Sequence, residues 1–140
     1  MRLLIVDDSP EIVEILSSVL EVAGHEVDKA YNGTEAVQHL LDKRYEVVIT
    51  DAKMPEMDGI ELCKFIKAQF PDVYIIGISG YLEALSELKD AGADICFSKP
   101  FKIEEIEEAI ENRFRRDQTS SGSTGLVTYC LDNLLFRFPA

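Results

Sequence analysis

Tryptophan is missing from this 140-residue chain, and histidine and cysteine are scarce, at two and three copies. The cysteines, Cys63, Cys96 and Cys130, are odd in number, lack metal-ligand spacing and have no histidine beside them, which excludes a zinc site and a disulfide framework. A reduced, cytoplasmic setting is expected. Long hydrophobic runs are also lacking. Met1 and Arg2 are followed by only four apolar residues before Asp7 and Asp8, too few for a signal-peptide core or a membrane span, so neither export nor a membrane partner is expected. Basic residues are few: 14 Lys and Arg stand against 26 Asp and Glu, for a net charge of −12. Such a chain repels both a nucleic-acid backbone and an anionic bilayer, so direct nucleic-acid contact is not expected either.

What is present describes one globular domain. The length suits a single hydrophobic core. With 46% hydrophobic and 29% charged residues, composition is that of an ordinary water-soluble protein. The acidity belongs to the domain, since 24 of the acidic and 13 of the basic side chains lie within residues 1–116.

Apolar runs of strand length occur at 3–6, 47–50 and 73–78, the last two rich in β-branched residues, with weaker candidates at 26–31 and 94–98. Between them lie helical patterns. Ile12, Ile15, Leu16, Val19 and Leu20 follow the start signal Ser9-Pro10, and Gly24 closes that segment. Looser versions cover 34–43, 60–69 and 82–91. A fifth, 103–116, carries Glu104, Glu105, Glu107 and Glu108 early and Arg113, Arg115 and Arg116 late, the order a helix dipole favours. Strand and helix alternate, which predicts an α/β domain with a parallel sheet covered on both faces. The domain is expected to end near Arg116. DQTSSGSTG at 117–125 reads as a flexible linker, and 126–140, with Val127, Leu131, Leu134, Leu135 and Phe138, as an amphipathic helix or an added or truncated segment.

In sheets of this kind ligands sit beyond the carboxyl ends of the strands. The polar residues expected there are Asp7 and Asp8, Asp51, Ser79 and Lys99. Singly, an acid pair or a loop lysine is unremarkable; together they form a site. Three carboxylates held close repel one another and favour a hard divalent cation, and Mg2+ suits carboxylate and phosphate oxygens. Lys99 supplies a fixed positive charge and Ser79 a hydroxyl donor, a set suited to a phosphoryl group. Asp51, in the middle of the edge, is the candidate nucleophile.

The segments LLIVDDSP, VVITDAKMPEMDG, IIGISG and CFSKPF, in this order, resemble those of response-regulator receiver domains of two-component and phosphorelay signalling. The resemblance covers residues 2 to about 116. It implies a flavodoxin-like, doubly wound five-stranded parallel sheet of order 2-1-3-4-5 with five helices. It implies Asp51 as phosphoacceptor, Mg2+ held by Asp7, Asp8, Asp51 and the backbone carbonyl of Lys53, Ser79 as switch hydroxyl, Lys99 as the phosphoryl-bridging lysine, and a cis Lys99-Pro100 bond. It further implies a histidine kinase or phosphotransfer protein as donor, a downstream protein target, and dimer or partner contacts through the face of the fourth helix, fifth strand and fifth helix. Beyond self-catalysed phosphorylation and dephosphorylation, no enzymatic activity follows.

One position departs from the family pattern: Cys96 stands where many members carry an aromatic that swings inward on activation. A phosphate-independent docking module is therefore the alternative. A haloacid-dehalogenase-type hydrolase needs a second acid two residues after its nucleophile, where this chain has Lys53. Cys63 is expected in the core and Asp58 as a helix cap. Met54, Pro55, Met57 and Gly59 are expected to shape the loop after Asp51. His25 and His39 are assigned no role.

Overall fold

The computed structural model describes the backbone of residues 1–119 and the side chains of residues 1–113. Strands and helices alternate: β1 (Arg2–Val6), α1 (Pro10–Val22), β2 (Glu26–Ala30), α2 (Gly33–Asp42), β3 (Val47–Asp51), α3 (Gly59–Gln69), β4 (Tyr74–Ser79), α4 (Leu82–Ala91), β5 (Ile95–Ser98) and α5 (Ile103–Thr119). The five strands form one parallel sheet of order β2-β1-β3-β4-β5, the doubly wound arrangement expected. β1 and β3 lie side by side although α1, β2 and α2 intervene in the chain. At this reversal of strand order a crevice opens beyond the strand ends.

The pleat explains the burial. On one face Leu4, Val6, Val48 and Ile75 pack with Ala36 and Leu40 of α2, Leu62, Cys63 and Ile66 of α3, and Ala84 and Leu88 of α4. Alternate residues Leu3, Ile5, Ile49, Ile76 and Ile78 point the opposite way and are fully buried, as are Val13, Leu16 and Leu20 of α1. A strand buried on both faces is apolar along most of its length, with polar residues confined here to its carboxyl end. The three strongest strand candidates are of this kind.

Helix starts follow the local chemistry. Pro10 opens α1, where its missing N–H costs nothing. Asn32 caps α2 by accepting from the Glu35 N–H, and the Glu35 carboxylate accepts from the Tyr31 N–H in return. Asp58 caps α3 by accepting from the Glu61 N–H, as expected.

Three element ends differ from expectation in ways that bear on the site or the domain limit. Asp51 and Ser79 are the last residues of β3 and β4 rather than the first beyond them, because strand pairing continues through Asp51↔Ile78 and Ser79↔Ser98. Helix α5 continues through Thr119, so 117–119 are helical where a linker was expected; Asp117 and Gln118 bring no glycine or proline to stop it. Residues 120–140, with the rest of the expected linker and tail and Cys130, lie outside the described residues. Met1–Ile106 form one compact unit. No helix among the described residues is long and apolar enough to cross a membrane.

Candidate functional site

Four strands deliver the side chains gathered at the carboxyl edge of the sheet: β1 leads into Asp7 and Asp8, β3 ends on Asp51, β4 ends on Ser79, and β5 leads into Lys99. Carboxylate oxygens of Asp7, Asp8 and Asp51 all lie within 4.8 Å of one another. Asp7 is wholly buried and Asp51 only 6% exposed, while Asp8 faces solvent. Lys99 Nζ lies 3.2 Å from Asp7 Oδ2 and 3.3 Å from Asp51 Oδ2, holding the two buried carboxylates as a pair.

Backbone donors fix the carboxylates. The Ser9 N–H donates to Asp7 Oδ1 (2.9 Å), and the Ala52 N–H donates to Asp51 Oδ1 (2.8 Å). The Lys99 N–H donates to the Ser79 carbonyl (2.8 Å), tying the bases of these two residues together. Ser79 is buried, and its Oγ accepts from the Tyr81 N–H at 3.1 Å.

The loop after Asp51 is tightly folded. The Gly59 N–H donates to the Ala52 carbonyl (2.9 Å), and a Cβ at Gly59 would fall 1.8 Å from the Asp51 carbonyl oxygen, so only glycine fits. Glu56 takes a positive φ of 68° in this loop. Lys53 is exposed and Met54 buried. The Lys99-Pro100 bond is cis, as expected.

Electrostatics put the cluster under tension. Burial raises the Asp51 carboxyl above the ordinary carboxylate value; the Asp7 charge adds to the rise, and Lys99 and the Ala52 N–H oppose it. Asp7 is likewise raised by burial, against the Ser9 N–H and Lys99. Lys99 is raised because Asp51 and Asp7 outweigh its own burial. One ammonium does not neutralise three carboxylates, and their oxygens sit close enough to share one hard divalent cation, so the donor set fits Mg2+.

The sequence profile described as the response regulator receiver domain matches residues 3–111. The chain belongs to this receiver domain family. It is 36% identical over 112 residues to sporulation initiation phosphotransferase F of Bacillus subtilis, covering 79% of this chain and 90% of that protein. It is 36% identical over 128 residues to the transcriptional regulatory protein CpxR homolog of Haemophilus influenzae, covering 90% of this chain but 56% of that longer protein. Among solved structures, the response regulator TrrA of Thermotoga maritima in complex with Mg(2+)-BeF superposes with a TM-score of 0.73 at 35% identity, covering 79% of this chain and 96% of that one. Receiver domains are switches of two-component signalling rather than enzymes acting on external substrates.

In this receiver domain the five side chains singled out in the sequence, Asp7, Asp8, Asp51, Ser79 and Lys99, come to one strand edge. Cys63 is fully buried in the core and Asp58 caps α3, both as expected; burial first of all pushes the Cys63 thiol up to about 12. His39 lies on α2 and His25 in the turn after α1, away from that edge. Sequence reasoning missed the backbone donors of Ser9, Ala52 and Tyr81, which carry no residue-type signal. It also missed Gly33, where a Cβ would fall 2.4 Å from the Met57 carbonyl oxygen, so α2 closes directly onto the loop after Asp51.

Proposed function

We propose that this receiver domain accepts a phosphoryl group on Asp51 and signals through protein contacts made in the phosphorylated state. Asp51 is the nucleophile: a carboxylate oxygen forms a bond to phosphorus as the bond from phosphorus to the donor breaks. The donor atom, an imidazole nitrogen of a histidine kinase or phosphotransfer protein, leaves with the electron pair. The observation that carries this reading is the Lys99 ammonium within 3.3 Å of both Asp7 and Asp51, beside three converging carboxylates. A nucleophile already paired with a cation has a positive charge waiting for the oxygens that the phosphoryl group brings.

Asp7, Asp8, Asp51 and the Lys53 carbonyl would hold Mg2+, which offsets the charge of the phosphoryl oxygens when bound. The Ala52 N–H orients Asp51, leaving Oδ2 towards Lys99. Ser79 donates its hydroxyl to the transferred group, and Lys99 shifts from the free carboxylate to a phosphoryl oxygen. Hydrolysis by water returns the aspartate, so phosphorylation and its loss are both self-catalysed. The longer CpxR homolog is named as a transcriptional regulatory protein and the shorter relative as a phosphotransferase; for this chain we infer a donor on the phosphohistidine side and a protein target on the other.

The test is intact mass after incubation with Mg2+ and acetyl phosphate. The expected outcome is a gain of about 80 Da, one phosphoryl group, absent in Asp51→Ala and abolished by EDTA. A folded wild-type protein that stays unmodified with acetyl phosphate and with a phosphorylated histidine kinase would instead leave the phosphate-independent docking module.

A further inference from the structure

Thr50 is a hydroxyl shut inside an apolar strand. Val47, Val48 and Ile49 before it and Ala52 beyond Asp51 are fully buried, as is Thr50 itself, between its register partners Val6 of β1 and Gly77 of β4. Valine has the same shape and would fill this place without a polar atom, and a hydroxyl taken out of water is a cost unless it is bonded. The bond it makes is to the next residue: Thr50 Oγ1 donates to the Asp51 carbonyl oxygen at 2.9 Å.

That carbonyl stands where the sheet runs out on one side. Pairing of β3 with β4 continues to Asp51↔Ile78, but pairing with β1 stops at Val6↔Thr50. The Ala52 N–H donates towards β4, to the Ile78 carbonyl at 3.1 Å, so by the alternation of strand backbone groups the Asp51 carbonyl turns towards β1, whose pairing has already ended. Gly59 closes over the same oxygen, which a Cβ there would meet at 1.8 Å. The Thr50 hydroxyl takes the place of the missing strand.

Both ends of one peptide unit are therefore held. Its C=O accepts from Thr50, and its N–H, that of Ala52, is shared between the Ile78 carbonyl and Asp51 Oδ1. The bond to Oδ1 orients the carboxylate and leaves Oδ2 beside Lys99. A peptide unit is planar, so a turn of its carbonyl turns its N–H as well.

We propose that Thr50 is a positioning residue for phosphoryl transfer: its hydroxyl locks the peptide unit between Asp51 and Ala52 and, through the Ala52 N–H, aims the attacking carboxylate. This inference deepens the phosphoacceptor reading above and rests on it. Aim matters because a misplacement of ~1 Å costs on the order of 100-fold in rate.

The test compares Thr50→Val, which keeps the shape and removes the donor, with Thr50→Ser, which keeps the donor and deletes a buried methyl. Intact mass follows the rate of labelling by acetyl phosphate at saturating Mg2+, urea unfolding gives stability, and hydrogen exchange by NMR reports the Ala52 amide. Thr50→Val is expected to label at least about fivefold more slowly than wild type, with an Ala52 amide that exchanges about tenfold faster. Thr50→Ser loses stability with its methyl and is expected to recover the labelling rate to within about threefold of wild type. Rate then follows the hydroxyl and not stability. Should Thr50→Val not fold, Thr50→Ala, also without a donor, carries the same expectations. A smaller loss of rate in the donor-less variant, or a Thr50→Ser as slow as that variant, overturns the positioning role. Slow labelling with an unchanged Ala52 amide overturns the route through the peptide unit. Wild type left unlabelled by acetyl phosphate and by a phosphorylated histidine kinase strikes at the phosphoacceptor reading itself, and this inference falls with it.

Discussion

Asp7 and Asp51 are carboxylates shut away from water with one cation between them. An acid whose value is raised by folding binds its proton more readily in the folded state, so its ionisation at neutral pH costs stability, and the cost is relieved as pH falls through the raised value. Asp51→Asn keeps the size of the side chain and removes the charge, leaving Lys99 paired with Asp7. Without Mg2+ near neutrality, this variant is expected to be more stable than wild type by on the order of 1 kcal/mol, the low end of what relieving buried charge yields. The gain should shrink in acid, and Mg2+ should stabilise the variant less than it does wild type. Urea unfolding midpoints near neutrality and near pH 4, with EDTA or Mg2+, check all three; a neutral-pH loss of stability would mean that Lys99 more than offsets the burial of Asp51. At this scale the sequence was informative about side chains and silent about the main chain. Asp7, Asp8, Asp51, Ser79 and Lys99 stand out because each polar group follows an apolar run. The N–H groups of Ser9, Ala52 and Tyr81 do not, since nearly every residue has one and only the loop path aims it.

Between α2 and β3 a short connection is pinned to the neighbouring strand. Tyr45 is buried and its hydroxyl donates to Asp28 of β2, which also meets Lys43 Nζ at 3.3 Å. Burial first, then the bond to Asp28, raises the Tyr45 hydroxyl far above its ordinary value. Burial would also raise the Asp28 carboxyl, but Tyr45 and Lys43 outweigh it and the net shift is downward. The signs follow. The Tyr45 contribution is whole below the ordinary tyrosine value of about 10 and is lost as pH rises above it, whereas that of Asp28 is whole above the ordinary carboxylate value of about 3.9 and is lost as pH falls below it. Tyr45→Phe is expected to cost about 1–2 kcal/mol near neutrality and to flatten both the alkaline and the acid arm of a stability–pH curve measured by urea unfolding. Nothing in the sequence marked this pin. Asp28 lies in one of the weaker strand candidates and Tyr45 between two elements, and a hydroxyl reaching across to another element leaves no local pattern. The element order was legible for the opposite reason: β-branched runs and helical spacing are local, and only the ends, at Asp51, Ser79 and Thr119, were set by pairing and by the lack of a stop signal.

For the molecule as a whole the governing quantity is the net charge of −12. Like charges over a small surface repel one another and load the folded state. In EDTA, raising NaCl from about 20 to about 200 mM, which shortens the screening length to below about 10 Å, is expected to raise the melting temperature. A fall would mean that surface pairs such as Arg2–Glu26 and Lys29–Glu14 matter more than the overall repulsion.

The sheet itself is lopsided in its duties. β1, β3, β4 and β5 each lead to a group of the acidic pocket, whereas β2, the outermost strand on its side, gives none; its tie to that edge is the bond from the Asp7 N–H to the Ala30 carbonyl, 3.1 Å long. Substitution in β2 therefore bears on stability, through the ties of Glu26, Asp28 and Lys29 to Arg2, Tyr45 and Glu14, and not on the groups of the pocket. A dye or affinity handle attached there would travel with the protein and leave its chemistry alone.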